Sequence, residues 1–287
     1  MFELRLDRQH RLPAPAKINL GLEITGRRPD GYHDIVTILQ TIDLCDEIIL
    51  TPADSFAYTP DPRIPPHDDL ILHTLDLVRD RLGVALRAHI RVLKQIPLAA
   101  GLGGGSSDAG TLLAAIGELA DVPDDDLLTL AAELGSDVPF FVHGGTALAT
   151  GTGTDLEPLP APVMSLSLVL VVPNVEIPNK TATLYSSLTT EDFSDGYSTR
   201  IIADQLRQGD PIDVTVLCNS FARALSAYDP IRAARDALQR AGASVVLPSG
   251  AGPSLIGIFP NQELAAAALT DWPSDRRFLP RPVAVRR

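Results

Sequence analysis

The run Gly101-Leu102-Gly103-Gly104-Gly105-Ser106-Ser107 constrains this chain more than any other stretch. Its glycines and two hydroxyls stand directly before an apolar pattern with helical spacing: Ala109, Leu112, Leu113, Ile116 and Leu119. A backbone without Cβ atoms can wrap closely around a ligand. A helix that begins at once afterwards aims its unpaired N–H groups and positive dipole end at the same place. Together these predict a phosphate cradle. A flexible linker would be Gly-rich too, but linkers are usually polar on both sides. Here an apolar lead-in, Ile96 to Ala100, joins the run to a helix.

The run is not a Walker A loop, because no lysine follows the glycines at the required spacing. Nor is it a dinucleotide fingerprint. Counted from Gly101, the third glycine of G-x-G-x-x-G falls on Ser106; counted from Gly103, it falls on Asp108. The chain therefore presents a third kind of phosphate-binding turn.

What else the chain can be is bounded by its composition. Its 287 residues suit one large domain or two ordinary ones, and 45% hydrophobic residues supply a proper core. A net charge of −12 argues against nucleic acid or an anionic membrane as partner, while leaving room for a local positive pocket. Cys45 and Cys218 are too few and too far apart for a disulfide framework. There is no signal core at the N-terminus and no apolar run of membrane-spanning length. The expectation is a cytoplasmic protein, a monomer or weak homodimer.

Segment by segment, Arg11 to Ile24 reads as extended structure broken by Pro13 and Pro15, and Arg27 to Gly31 as a turn. Ile35 to Leu50 reads as strand, and Thr51 to His67, with five prolines, as loop. Helices are expected over Asp68–Leu82, after the glycine run, and over Asp124–Leu134, where acidic residues crowd the start and Gly135 follows the end. Strands are expected over Ala88–Leu93, Thr146–Ala149, Leu166–Val172, Ser244–Leu247 and Leu255–Phe259. Further helices are expected over Pro211–Leu225, Pro230–Ala241 and Gln262–Leu269. Gly151 to Pro162, rich in Gly, Thr and Pro, reads as a domain boundary, giving domains 1–155 and 156–287. Helices and strands interleave without strict alternation, which predicts an α+β fold.

Two residues stand out as chemical candidates. Lys17 lies in the mostly apolar Pro15-Ala16-Lys17-Ile18-Asn19-Leu20, and Asp137 in Gly135-Ser136-Asp137-Val138-Pro139. A surface lysine on a strand and an Asp capping a turn are the plain alternatives. Tyr32-His33, after the Asp30-Gly31 turn, could stack on and hydrogen-bond a planar ring, or simply sit half-buried beside a loop. The six histidines show no zinc spacing. Ser249-Gly250-Ala251-Gly252 is a second Gly-rich bend, explained well enough as a tight strand connection.

Taken in order, Pro15 to Leu20, Pro97 to Ser107 and Pro248 to Pro253 resemble the three motifs of the GHMP kinases. Thr25 to His33 and Gly135 to Phe141 resemble one member in particular, a kinase whose alcohol is carried on cytidine diphosphate. The resemblance implies a two-domain α+β GHMP kinase fold with its active site in the interdomain cleft. It implies ATP and Mg²⁺ as cofactors, with the ATP phosphates on Pro97, Leu98, Ala99, Ala100, Gly101, Leu102, Gly103, Gly104, Gly105, Ser106 and Ser107. It implies Asp137 as general base and Lys17 beside it, with Ser107 a candidate for Mg²⁺ or phosphate. A cytidine diphosphate-linked polyol would meet Asn19, Tyr32, His33, Thr181 and Tyr185, with Tyr32 and Tyr185 around the cytosine and His33 reading its edge. Three features depart from the family pattern: Asp68-Asp69-Leu70, Asp108 inside the loop helix, and Pro178-Asn179-Lys180. A GHMP kinase for another small alcohol, of the homoserine or mevalonate type, and a non-catalytic nucleotide sensor stay open as alternatives.

Overall fold

The computed structural model describes residues 2–163, 166–270 and 281–283. Its contacts divide the chain into two compact units, each assembled from separated segments. Unit 1 comprises residues 1–16, 44–98 and 103–144; unit 2 comprises 17–43, 99–102 and 145–287. The chain thus changes unit several times rather than once at 155/156. Two long strands, β2 (His10–Arg27) and β3 (His33–Pro52), each contribute one end to either unit. A one-dimensional reading of linker composition has no means of detecting this.

In unit 1, β5 (Val84–Leu93) pairs in parallel with β1 (Phe2–Arg5) and with β4 (Ala57–Thr59), and antiparallel with Glu47–Pro52 of β3. Helices α1 (Leu70–Leu82), α2 (Gly104–Ala120), α3 (Asp124–Leu134) and α4 (Val138–His143) complete it. Ile48, Leu50 and Ile90 of the strands and Leu112, Leu113 and Ile116 of α2 are fully buried in one core. Apolar burial on this scale is the main force holding the unit together. Leu119 is the exception to the expected helix face, because it remains 38% exposed. At α1, Asp69 accepts the Ile71 N–H as N-cap and Gly83 closes the end in a left-handed conformation. The expected start at Asp68 moves because residues 66–68 form a 3₁₀ turn.

In unit 2, Thr37–Gln40 of β3 pairs with β6 (Thr146–Thr150), which forms a hairpin with β7 (Asp155–Leu159). The stretch expected to be a domain boundary therefore contains a paired strand. A second sheet has the order β11 (Arg281–Val283), β8 (Ser167–Val171), β10 (Leu255–Phe259), β9 (Val245–Pro248), all antiparallel. Helices α5 (Lys180–Ser186), α6 (Tyr197–Gln208), α7 (Ala222–Leu225), α8 (Asp229–Arg240) and α9 (Gln262–Thr270) belong here too. Val169, Val171, Leu184, Phe221, Leu225 and Leu255 share its core.

Three expectations need correction. Pro211–Leu225 is not one helix: it holds a 3₁₀ turn at 214–216 and the single turn α7. Helices α5 and α6 arise where none was expected: α5 is short and buries only Leu184, whereas α6 buries Thr199, Ile202, Ala203 and Leu206 at helical spacing, a pattern the sequence did carry. Pro13 and Pro15 do not break β2, which runs on continuously.

Candidate functional site

The Gly-rich loop is built from its backbone outward. In unit 2, four consecutive carbonyls are held by donors from four places in the chain. The Ala99 oxygen accepts from Lys180 Nζ at 2.8 Å, and Ala100 from the Ser254 N–H at 3.2 Å. Gly101 accepts from Ser249 Oγ at 3.0 Å, and Leu102 from the Lys17 N–H at 2.9 Å. With the carbonyls committed to protein donors, the N–H groups are left over. From Ala100 to Ser106 none of them donates to another described residue. Unpaired N–H groups in succession are what an anion needs.

Gly101 has φ +81°, and a Cβ there would lie 2.5 Å from the Ser249 oxygen and 2.6 Å from the Gly252 oxygen. Only glycine permits that approach. Gly103, at φ +71°, precedes the first turn of α2. The bend at Ser249–Gly252 is thus more than a strand connection, since it buttresses residues 100 and 101. It is braced in turn by Asn219, whose Nδ2 donates to the carbonyls of Pro248 and Gly250 at 3.0 Å each.

Lys17 and Asn19 are almost fully buried on β2. Lys17 Nζ donates to Asn19 Oδ1 at 2.9 Å. Asn19 Nδ2 donates to Thr37 Oγ1 at 2.8 Å, and Thr37 Oγ1 donates to the Gly21 carbonyl at 2.5 Å. The relay fixes which way the amide faces. A Cβ on Gly250 would come within 3.2 Å of Lys17 Nζ, so the bend and the lysine are close neighbours.

His33 and Tyr185 are in ring contact, with centroids 4.9 Å apart and planes tilted by 33°. Phe193 meets His33 edge-on at 6.0 Å, and Phe221 meets Tyr185 edge-on at 5.0 Å. Burial, with the nearby charge of Arg27 adding to it, holds the His33 pKa below the usual imidazole range. A neutral imidazole offers one donor and one acceptor. Tyr32 is 69% exposed in the 28–32 turn and makes no ring contact with another described residue. Thr181 is exposed in the first turn of α5.

In unit 1, Asp137 is partly exposed immediately before α4 and does not cap that helix with its side chain. Pro97 is partly buried and Leu98 exposed at the start of the loop; Ser106 is partly exposed beyond it. Ser107 is fully buried, and its hydroxyl donates to the Pro15 carbonyl at 2.7 Å. Among the described residues no group of three or more His, Cys, Asp or Glu could hold a metal.

The acidic departure Asp108 has a partner. Lys94 Nζ donates to Asp108 Oδ2 at 2.6 Å and to Asp46 Oδ2, with all three side chains buried. Asp46 Oδ1 accepts the N–H groups of Gln95 and Ile96 as well. Burial raises the Asp108 pKa most; Lys94 opposes this and Asp46 adds to it, leaving it at about 7. Burial works against the Lys94 ammonium, but the charges of Asp108 and Asp46 outweigh it and its pKa is raised. Tyr58, Asp69, Leu70, Lys94, Gly105 and Asp108 line a small cavity beside this triad. Asp69, the other acidic departure, is occupied as helix cap and as acceptor from Tyr58 Oη at 2.8 Å.

Structure therefore brings together Lys17, Asn19 and the loop's carbonyls in unit 2, and His33 with Tyr185; Asp137, Ser106 and Ser107 belong to unit 1. Sequence reading missed Thr37 and Lys180. The only signal for Lys180 was that Pro178-Asn179-Lys180 departs from the family pattern. Thr37 carried none.

A Gly-rich loop with unpaired N–H groups, a buried lysine and this α+β architecture suit a kinase of small molecules. Residues 69–145 match the GHMP kinases N terminal domain and residues 202–276 the GHMP kinases C terminal domain. The chain belongs to the GHMP kinases. It is 38% identical over 280 residues to the 4-diphosphocytidyl-2-C-methyl-D-erythritol kinase of Geobacter metallireducens, covering 91% of this chain and 95% of that one. It is 36% identical over 259 residues to the enzyme of that name from Dehalococcoides mccartyi, with 88% and 90% covered. A crystal structure of 4-(cytidine 5'-diphospho)-2C-methyl-D-erythritol kinase superposes with a TM-score of 0.79 at 31% identity, covering 97% of this chain and all of that one. Homoserine kinase from Cytophaga hutchinsonii shares the fold at a TM-score of 0.73 and 20% identity, with 100% and 97% covered. Among the described residues no helix is long and apolar enough to cross a membrane.

Proposed function

We infer that the chain is an ATP-dependent kinase that phosphorylates the 2-hydroxyl of 4-diphosphocytidyl-2-C-methyl-D-erythritol, giving the 2-phosphate and ADP. Its relatives carry that kinase's name at more than a third identity over nearly their whole length. The observation that carries the reading is the Gly-rich loop with carbonyls turned to protein donors and N–H groups unpaired. The His33–Tyr185 contact supports cytosine as the base, because a tyrosine face stacks on a pyrimidine and a neutral imidazole can pair with its edge.

Each residue then has a task. Along the stretch Pro97 to Ser107, the unpaired N–H groups of Ala100 to Ser106 take the ATP phosphate oxygens, the Ser107 N–H being given to the Gly103 carbonyl. Asp137 accepts the proton as the substrate hydroxyl oxygen bonds to the γ-phosphorus and the bond from that phosphorus to the β-bridging oxygen breaks. An alcohol is a poor nucleophile until a base takes its proton. The Lys17 ammonium offsets negative charge developing in the transfer, and Asn19 fixes its position. Tyr32, His33, Thr181 and Tyr185 hold the cytidine end. Mg²⁺, where it takes part, would arrive on the nucleotide phosphates and water, its usual ligands in such sites, and would offset phosphate charge.

The test is direct. Incubated with ATP, Mg²⁺ and 4-diphosphocytidyl-2-C-methyl-D-erythritol, the protein should release ADP in proportion to a 2-phosphorylated product. Turnover of homoserine or mevalonate without turnover of the cytidine substrate would sink the reading. Binding of nucleotide without any turnover would favour a sensor.

A further inference from the structure

Glu23 on β2 is only 5% exposed, and both of its oxygens act as acceptors. Ser194 Oγ donates to Oε1 at 2.7 Å, and the Thr199 N–H donates to Oε2 at 2.6 Å. Among the described residues no cation lies within ion-pair distance of it. A buried acid without a cation is costly and does little for stability. What it does is hold a segment in place. Residues 192–199 are tied to β2 at further points. The Ser194 N–H donates to the Ile24 carbonyl at 3.0 Å, and the Ile24 N–H donates to Ser220 Oγ at 3.0 Å. Ser220 Oγ donates in turn to the Asp192 carbonyl at 3.0 Å. The Gly196 N–H donates to Ser194 Oγ at 3.1 Å, and a Cβ on Gly196 would lie 2.9 Å from Val36 Cγ2. Phe193 bridges to Ile24 and stands between two anchored residues, Asp192 and Ser194. Its ring meets His33 edge-on, with centroids 6.0 Å apart and planes at 73°, while Tyr185 meets the same imidazole at 4.9 Å and 33°. An imidazole that turned about its own axis would lose or collide with one of the two rings.

We propose that Glu23 is a positioning residue for His33: through Ser194 and Thr199 it fixes Phe193, and Phe193 fixes the plane in which the imidazole meets a pyrimidine base. This role rests on the cytidine reading of the site, which supplies the base edge for His33 to face. A ring held beforehand in its pairing orientation binds more tightly, because the cost of ordering it falls on folding and not on binding. Glu23 itself touches no base, and its charge is not what the segment needs. The amide of a glutamine serves as well, accepting from the Thr199 N–H and donating to Ser194 Oγ.

Wild type, Glu23→Ala, Glu23→Gln and Phe193→Ala are compared as full chains, with melting curves to establish folding. Calorimetric titration with cytidine 5'-diphosphate and with a non-hydrolysable ATP analogue reads binding. Proton NMR reads the His33 Hε1 signal, assigned by its absence from the spectrum of His33→Gln. In Glu23→Ala and Phe193→Ala that signal should move, because a neighbouring ring has shifted or gone. Affinity for cytidine 5'-diphosphate should fall about three- to tenfold in both, the scale of one aromatic contact. Affinity for the ATP analogue should hold, and Glu23→Gln should match wild type on every count. Where the wild type binds cytidine 5'-diphosphate, a folded Glu23→Ala with the wild-type His33 signal or the wild-type affinity overturns the proposal. So does an equal loss of both ligands, or a Glu23→Gln no better than Glu23→Ala. Should Glu23→Ala not fold, Ser194→Ala, which removes the partner of Oε1 alone, takes its place with the same outcomes. A wild type that binds no cytidine 5'-diphosphate discards the cytidine reading instead. The His33 signal of the variants then decides the placement by itself: moved, the placement stands; unmoved, it falls.

Discussion

Lys17 Nζ donates to Asn19 Oδ1 at 2.9 Å, and both side chains are buried on one face of β2. An i, i+2 pair on a strand faces the same way, so the motif Lys-Ile-Asn is a geometric device as much as a chemical one. The amide is oriented by Thr37, and the lysine by the amide.

Thr37→Val removes the hydroxyl that receives the Asn19 N–H and donates to Gly21. The expected result is a fall in kcat of about three- to tenfold, corresponding to about 1 kcal/mol for one displaced hydrogen bond. Thr37→Ser should restore it, since the relay needs only the oxygen. Steady-state kinetics of the two variants decide the matter. Equal losses in both would mean that packing of the methyl group, not the relay, is what counts.

Asp137→Asn keeps the shape of the side chain and removes the base. Turnover should drop by about 10²-fold or more with the substrate KM little changed. Single-turnover measurements would exclude a contribution from product release. Unchanged turnover would show that another group accepts the proton.

Tyr185→Ala removes the ring that touches His33. The KM for the cytidine substrate should rise by about tenfold, as loss of one base–aromatic stack does, and kcat should hold. In wild type the same KM should be flat from neutrality upward, because burial and then Arg27 lower the His33 pKa and favour the neutral ring. It should rise only as acid protonates the imidazole. A KM that changes between neutrality and pH 8 would exclude His33 as the group reading the base.

Asp108→Asn bears on stability. In the folded protein the Asp108 pKa is raised to about 7, against about 4 in an unfolded chain. Between those values the folded state binds the extra proton. The stability this contributes is therefore greatest in acid and is lost as pH rises through the window. The wild-type melting temperature, taken relative to that of the Asn variant, should decline from about pH 4 to about pH 7. A constant difference between the two melting curves would show that Asp108 stays ionised throughout.

Gly101→Ala should abolish nucleotide binding and destabilise the fold by more than about 1 kcal/mol. Its φ is +81°, and the new methyl would meet two carbonyl oxygens that cannot move aside independently. Gly26→Ala is the control. No atom lies within 4 Å of a Cβ there, and its φ is ordinary. Urea titration and calorimetry compare the two variants.

The sequence by itself determined the reaction class. Glycines, a helix start and the ordered motifs around Lys17, Asp137 and His33 are local or near-local features, and each can be read from its neighbours. It also located α1, α3 and α8, because their apolar periodicity, and the glycines that end α1 and α3, lie within one window. Only the tertiary structure decided how the loop is held. The four donors to its carbonyls come from residues 17, 180, 249 and 254, and no spacing rule links them. The same holds for Thr37 behind Asn19, for the two units interleaved along the chain, and for Lys94 neutralising part of the acid at Asp108. Glycine's freedom is a property of one residue, and sequence reports it. Where that freedom is spent depends on which distant carbonyls and ammonium groups the fold brings to meet it.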